Sequence, residues 1–239
     1  MEQVFNMNLL TDYQVRTLKI LTKSEQLLLR YGYSKVTIDD IARECGLGKG
    51  TIYLHFKSKE NLFYAVFLKA SAEISFEIIK LIDKDKNTVN FTDLAVESYA
   101  ACFNRKLIVA LFTGDSQLLG KLMLNKNSSV SQNLKQKLIH DAITMYRNCN
   151  YINQDMDINL QIHTINMLLL GMFNYNSCLK DCLTLEDQKT ILYETIKKTL
   201  TTKNTDSVND ELFTYIYNLF VNMLGFYKKQ IFQLTIKRF

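Results

Sequence analysis

In the stretch Glu44–Leu62, ECGLGKGTIYLHFKSKENL, a lysine, a threonine, a tyrosine and a histidine (Lys49, Thr51, Tyr53 and His55) follow three glycines packed into Gly46–Gly50. These residue types can read a polyanion better than they can break a bond. A lysine ammonium donates to the acceptor edge of guanine, and a threonine methyl can meet the methyl of thymine. A helix of about seven residues, 49–55, can put only its first turn or two into a major groove, so Lys49 and Thr51 are the residues expected to reach base edges.

The elements around this stretch must hold that surface outward. Ile52 and Phe56, four apart, anchor the short helix from below, leaving Lys49, Thr51, Tyr53 and His55 on its remaining face. Gly46 is placed to take the positive φ of a sharp turn between helices, Gly48 serves as an acceptable N-cap, and Gly50 offers no Cβ where backbone must approach another surface. Thr37 with Asp40 forms a capping-box pattern opening the preceding helix, which stops at Gly46. Before it, Thr11 with Gln14 opens a longer helix with Val15, Leu18, Leu21, Ser24 and Leu28 on one face, ending near Tyr31 at Gly32. Ser58 caps a fourth helix running toward Asp83. A nucleotide-binding loop is excluded: GxxxxGK[ST] is absent and no strand precedes the glycines.

The remaining chain reads as helical too. Stretches near 91–113, 116–124, 129–148, 158–180, 185–202 and 208–230 carry helical periodicity, and no strand alternation is sustained. Zero prolines among 239 residues agree with an all-α class. The polar segment Asp83–Asn90 marks a connection, predicting a helix-turn-helix domain over 1–57, a linking helix 58–83 and a larger helical domain over 84–239. Apolar residues make up 47%, enough for a substantial core, and a net charge of +5 permits a polyanion partner.

Other chemistries find little support. The three histidines, 55, 140 and 163, form no HExxH, there is no GxSxG, and no Cys/His cluster has metal spacing, so no enzyme, metal or cofactor is expected. The first ten residues lack a basic n-region and long apolar core, and no apolar run is long enough to span a bilayer; a cytoplasmic protein is expected, with its five cysteines reduced. Cys178 and Cys182 lie four apart, and a thiol sensor is an alternative there that requires exposure and a low thiolate pKa. The basic residues Lys228, Lys229, Lys237 and Arg238 are read as a solvated end.

From Ile20 to Val66 the sequence resembles the DNA-binding region of the TetR family of bacterial transcription regulators. The matching elements are Ile20-Leu21, Leu27-Leu28, Gly32-Tyr33, Val36-Thr37-Ile38, Asp40-Ile41-Ala42, Gly46-Leu47, Gly50-Thr51-Ile52-Tyr53, Phe56 and Ser58-Lys59-Glu60-Asn61-Leu62. Gly48 stands where the family usually has Ser, costing the cap a few tenths of a kcal/mol, about 0.3, and Ser24 where it usually has Ala. The resemblance implies that Tyr53, His55, Thr37 and Lys59 line the phosphate backbone, giving a DNA-contact set of Thr37, Lys49, Gly50, Thr51, Tyr53, His55 and Lys59.

It also implies a homodimer on a palindromic operator, paired through two late helices. Ile165, Leu169 and Met172 on one, with Ile216, Phe220 and Met223 on the other, are the expected interface. A ligand cavity in the body is implied likewise, with Tyr99, Phe103, Phe112, Met123, Tyr146 and Phe173 as candidate lining. The expected function is a repressor released from DNA by a small, largely apolar effector; control by a protein partner or by cysteine oxidation is the alternative.

Overall fold

The computed structural model describes residues 2–120, 122, 128–178, 183–202 and 208–235. Met123, Cys182, Lys237 and Arg238 lie outside the described residues, and with Cys182 goes any geometry for the Cys178–Cys182 pair. In chain order the described helices are α1 (Glu2–Phe5), α2 (Asp12–Tyr31), α3 (Ile38–Cys45), α4 (Lys49–His55), α5 (Lys59–Lys84), α6 (Phe91–Phe103), α7 (Lys106–Thr113), α8 (Ser116–Leu119), α9 (Ser128–Asn148), α10 (Ile158–Cys178), α11 (Leu185–Thr199) and α12 (Asp210–Gln233). Among the described residues no strand forms; Phe56 with Thr235 and Ile152 with Thr201 make isolated antiparallel bridges. The all-α class is as the periodicity implies. No described helix is long and apolar enough to cross a membrane.

Two elements depart from the periodicity. The apolar run 91–113 breaks between α6 and α7, where Arg105 adopts φ −119° and ψ 97°. Neither glycine nor proline marks that break. In the run 116–124, α8 ends at Leu119, where Gly120 turns the chain at φ 50°.

The chain divides into two compact units, neither continuous in sequence: Met1–Phe76 with Arg105–Asn125 and Val221–Phe239, and Glu77–Asn104 with Lys126–Phe220. In the first unit, both capping boxes form. Thr11 caps α2 and Thr37 caps α3, each exchanging side-chain and backbone hydrogen bonds with the residue three on. Leu18, Leu21, Leu28, Ile41, Ile52, Leu62 and Phe63 make a closed core beneath α4. Each such side chain contributes roughly 1.5–3 kcal/mol on leaving water. Gly32 ends α2 at φ 77°, and a Cβ there would lie 2.6 Å from the Gln117 carbonyl oxygen. The Tyr33 N–H donates to the Leu118 carbonyl at 2.9 Å, so the turn after α2 and the segment through α8 pack backbone to backbone.

The same unit buries one charge. Lys69 is 4% exposed, with Glu25 of α2 and Glu73 of α5 each 2.9 Å from its ammonium. Burial alone would lower its pKa; the two carboxylates outweigh that and hold it above the ordinary lysine value.

The second unit packs α6 against α11. Its core includes Val96, Tyr99, Ile143, Tyr146, Phe173, Leu192, Ile196, Leu212 and Ile216. Buried hydroxyls are satisfied internally, Tyr99 donating to Gln188 and Tyr146 to the Val89 carbonyl at 2.5 Å.

Candidate nucleic-acid interface

The helix α4 sits where its flanking residues require. Gly46 takes the left-handed conformation, φ 66° and ψ 36°, as the turn demands. The Leu47 N–H returns to the Ala42 carbonyl at 2.9 Å. Gly48 is the N-cap, with extended backbone and no side-chain hydrogen bond. Ile52 and Phe56 are buried, so the opposite surface of α4 is presented to solvent. A Cβ at Gly50 would meet nothing within 4 Å, so the clearance there is toward the outside.

Of the residues expected on this surface, Lys49, Gly50 and Tyr53 are exposed and Thr51 is half-buried. Tyr53 keeps 42% of its surface in solvent, and Leu54, which the sequence pattern did not single out, keeps 60%. Lys49 is not idle. Its ammonium lies 2.7 Å from the Asp39 carboxylate, and the hydrogen bond to Asp39, then its charge, raise the lysine pKa. Lys49 must exchange that partner for any base or phosphate it meets.

Thr37 is exposed but committed. Its hydroxyl donates to Asp40 at 2.6 Å and its N–H donates to the same carboxylate at 3.0 Å. The hydrogen bonds from Thr37, aided by Arg43, hold the Asp40 carboxyl below its ordinary range. The first turn of α3 thus already contains its own anion.

Two expectations need correction. His55 is only 1% exposed. Its ring stacks on Tyr13 with centroids 4.1 Å apart, and its Nδ1 lies 2.8 Å from the Thr17 hydroxyl. That hydroxyl donates its single hydrogen to the Tyr13 carbonyl at 2.9 Å, so His55 Nδ1 must be the donor between them. The Tyr13 hydroxyl in turn donates to the Leu54 carbonyl at 3.0 Å. His55 therefore fastens the end of α4 to α2 from inside and does not line the exposed face. Tyr13 and Thr17, absent from the expected set, complete this fastening; the signal was a threonine interrupting the apolar face of α2.

Lys59 is likewise turned inward. Its ammonium donates to the Tyr33 carbonyl at 2.5 Å and lies 4.1 Å from the Tyr33 ring centroid. Burial lowers its pKa. The Tyr33 hydroxyl donates to Glu60 at 2.8 Å, and burial, then Glu60, raise the phenol pKa well above normal. This cluster shapes the start of α5 and leaves Lys59 half-buried.

In the second unit, three expected lining residues come together. Tyr99 has ring centroids 5.8 Å from Phe103 and 4.8 Å from Phe173. Tyr146 instead packs edge-on to Phe91 and Tyr151. Phe112 belongs to the first unit and keeps 39% of its surface in solvent.

Among the expected interface residues, Ile165, Leu169, Met172, Phe220 and Met223 are half-buried, whereas Ile216 is fully enclosed by the chain's own core and offers nothing to a partner. The exposed apolar positions of α10 are instead Leu160, Met167, Leu170 and Tyr175, with Met167 65% exposed. Their spacing of seven, three and five forms a stripe along one side of the helix.

Residues 20–66 match the family model of bacterial regulatory proteins, tetR family. The uncharacterized HTH-type transcriptional regulator YerO of Bacillus subtilis is 50% identical over 44 residues, which are 18% of this chain and 15% of YerO. HTH-type transcriptional regulator UidR of Escherichia coli is 23% identical over 138 residues, 55% of this chain and 68% of UidR. In three dimensions the chain is similar to NalD of Pseudomonas aeruginosa, titled the secondary repressor of the MexAB-OprM multidrug efflux pump, with TM-score 0.58 and 19% identity, covering 81% of this chain and all of NalD.

Proposed function

Because this chain belongs to the tetR family of bacterial regulatory proteins, we propose that it is a repressor which binds a palindromic operator as a homodimer and leaves it when a small, largely apolar molecule binds. It is a helix-turn-helix transcriptional regulator and not an enzyme. The observation carrying the reading is α4 itself: Lys49, Gly50 and Tyr53 in solvent, over Ile52 and Phe56 sealed beneath. Lys49 and Thr51 are assigned to base edges, Tyr53 to the phosphate backbone. Thr37 keeps a backbone-contact role at the start of α3 once its bond to Asp40 is exchanged.

One such unit covers roughly 600–1,000 Å² on DNA, too little for tight and selective binding, which argues for two copies on two half-sites. The unpaired apolar stripe of α10 supports a second copy as its cover. The half-buried Ile165, Leu169 and Met172 would flank it.

For the effector, the grouping of Tyr99, Phe103 and Phe173 supports an aromatic or hydrophobic molecule. The Tyr99 hydroxyl is already spent on Gln188, so ring faces rather than hydrogen bonds would greet it. Such a molecule acts only if it favours one spacing of the two recognition helices over another. Repression agrees with NalD, a repressor of the same fold.

The test is selection from a random duplex library. An inverted repeat with half-sites about one helical turn apart is the expected product. Enrichment of no sequence, or of a single unrepeated half-site, contradicts the reading.

A further inference from the structure

Between Tyr13 and Lys35 the sequence has five basic residues, Arg16, Lys19, Lys23, Arg30 and Lys35, and one acidic residue, Glu25. Glu25 is already bonded to Lys69. Arg16, Lys19 and Lys23 follow one another along α2 at spacings of three and four, which puts them on one side of the helix. Arg16 and Lys19 are exposed and Lys23 is half-buried. Among the described residues no carboxylate pairs with any of the three. By contrast, Asp40 holds Arg43 of α3, Asp39 holds Lys49 of α4, and Lys59 at the start of α5 is turned onto Tyr33. The cations of those elements are occupied; these three of α2 are not.

The stripe lies beside the helix-turn-helix. Tyr13, three residues before Arg16, stacks on His55 and donates its hydroxyl to the Leu54 carbonyl, so the start of α2 abuts the end of α4. Further along α2, burial pushes the Cys45 thiol up while the charges of Lys19 and Lys23 oppose it, so both ammonium groups stand near the end of α3. Glu44 is the one carboxylate felt there, and two cations outnumber it. Glu25 lies about 160° round the helix from Lys23 and faces α5 through Lys69. We propose that Arg16, Lys19 and Lys23 bind the phosphate backbone of the DNA strand beside the groove that α4 enters. The assignment rests on the operator-binding reading above and extends it to a helix outside the helix-turn-helix pair.

Charge and span fit that occupant. Lys19 and Lys23, four apart, repel each other on the helix surface, an arrangement that works against α2 alone and is relieved by an anion lying across both. From Arg16 to Lys23 the helix rises about 10 Å. Heads spread over that length suit a line of phosphates better than one small anion. The guanidinium can grip a phosphate through two N–H groups, and each ammonium acts as a point charge. Such contacts read no base, so the stripe adds affinity and register while sequence choice stays with α4.

The experiment compares the full-length protein with Arg16→Gln/Lys19→Gln/Lys23→Gln, and with the charge-keeping Arg16→Lys/Lys19→Arg/Lys23→Arg, on selected operator and scrambled duplex across a salt series. Loss of three phosphate contacts flattens the slope of log K against log salt by about 2.7 for each protomer bound, on both duplexes, because such contacts carry no base information. The charge-keeping variant should keep the wild-type slope. If the triple glutamine variant has a lower thermal midpoint, Lys19→Gln alone, at an exposed position, carries the test with a fall of about 0.9 for each protomer. An unchanged slope in the glutamine variants overturns the proposal while leaving operator binding intact. A loss restricted to the operator overturns it also, since it would betray a base contact. Loss of binding to phosphatidylglycerol vesicles, with the DNA slope unaltered, overturns it in favour of a membrane surface. Wild-type protein that prefers neither duplex overturns the operator reading itself, and the slope on scrambled duplex then still decides the stripe.

Discussion

Lys49 and His55 lie six residues apart on one short helix and have opposite fates. Lys49 is in water and tied to Asp39; His55 is enclosed between Tyr13 and Thr17. Asp39 thus competes with any DNA acceptor for the same ammonium. Asp39→Asn should tighten operator binding by several-fold at low salt and steepen its salt dependence, as measured by titration at several ionic strengths; unchanged affinity would remove Lys49 from the contact set. For His55 the prediction is structural. Replacing it with alanine should destabilise the protein by about 2 kcal/mol in urea unfolding, as expected for a buried side chain that loses both packing and a hydrogen bond. Operator affinity should fall with it, because the end of α4 loses its tie to α2.

The sequence made this difference only half legible. Spacing from Ile52 and Phe56 places the inward positions of α4 and so leaves Tyr53 outward. It does not reveal that a polar ring can turn inward when a partner waits there. Thr17 and Tyr13 are 38 and 42 positions away, and no local pattern links them to His55.

At the scale of elements, helix ends were the most legible part because their chemistry is local. Thr11, Thr37, Gly32 and Gly46 act within four residues of themselves, and each ends or begins a helix as its type implies. The break between α6 and α7 was harder to read: Asn104, the C-cap of α6, favours turns, but the apolar periodicity continues across it with neither glycine nor proline. The Glu25–Lys69–Glu73 triad ties α2 to α5. Lys69→Met, which strands two part-buried carboxylates, should cost about 3 kcal/mol at neutral pH by denaturant unfolding. The pKa of Lys69 is raised on folding, so its contribution is fully present below the unfolded value near 10.4 and is lost only as pH rises through the folded value. Wild type and variant should therefore converge as pH rises through the folded value of Lys69.

For the whole molecule, the polar segment Asp83–Asn90 joins α5 to α6 within the second unit, and the compact units do not divide there. The first unit recruits Arg105–Asn125 and Val221–Phe239 from far along the chain. Composition cannot show such returns, since the contacts that make them, Gly32 against Gln117 and Phe56 with Thr235, join residues about 85 and 179 positions apart. A fragment of residues 1–83 lacks both returning segments. It should unfold with a broader, lower thermal transition than the same region in the full chain, observed by circular dichroism. A sharp, unshifted transition would mean the recruited segments contribute little.

Most directly at issue is whether the outer face of α4 reads DNA. Fluorescence anisotropy of labelled DNA from upstream of the gene, against a scrambled duplex, at low and near-physiological salt, with Tyr53→Ala alongside, addresses it. Tyr53 is exposed, so its removal should leave stability near wild type while lowering operator affinity by about tenfold, the loss of one good polar contact. Selective binding that survives physiological salt and weakens in Tyr53→Ala is the predicted result. Equal, salt-erased binding of wild type to both duplexes, or a Tyr53→Ala protein that binds as well as wild type, would contradict it.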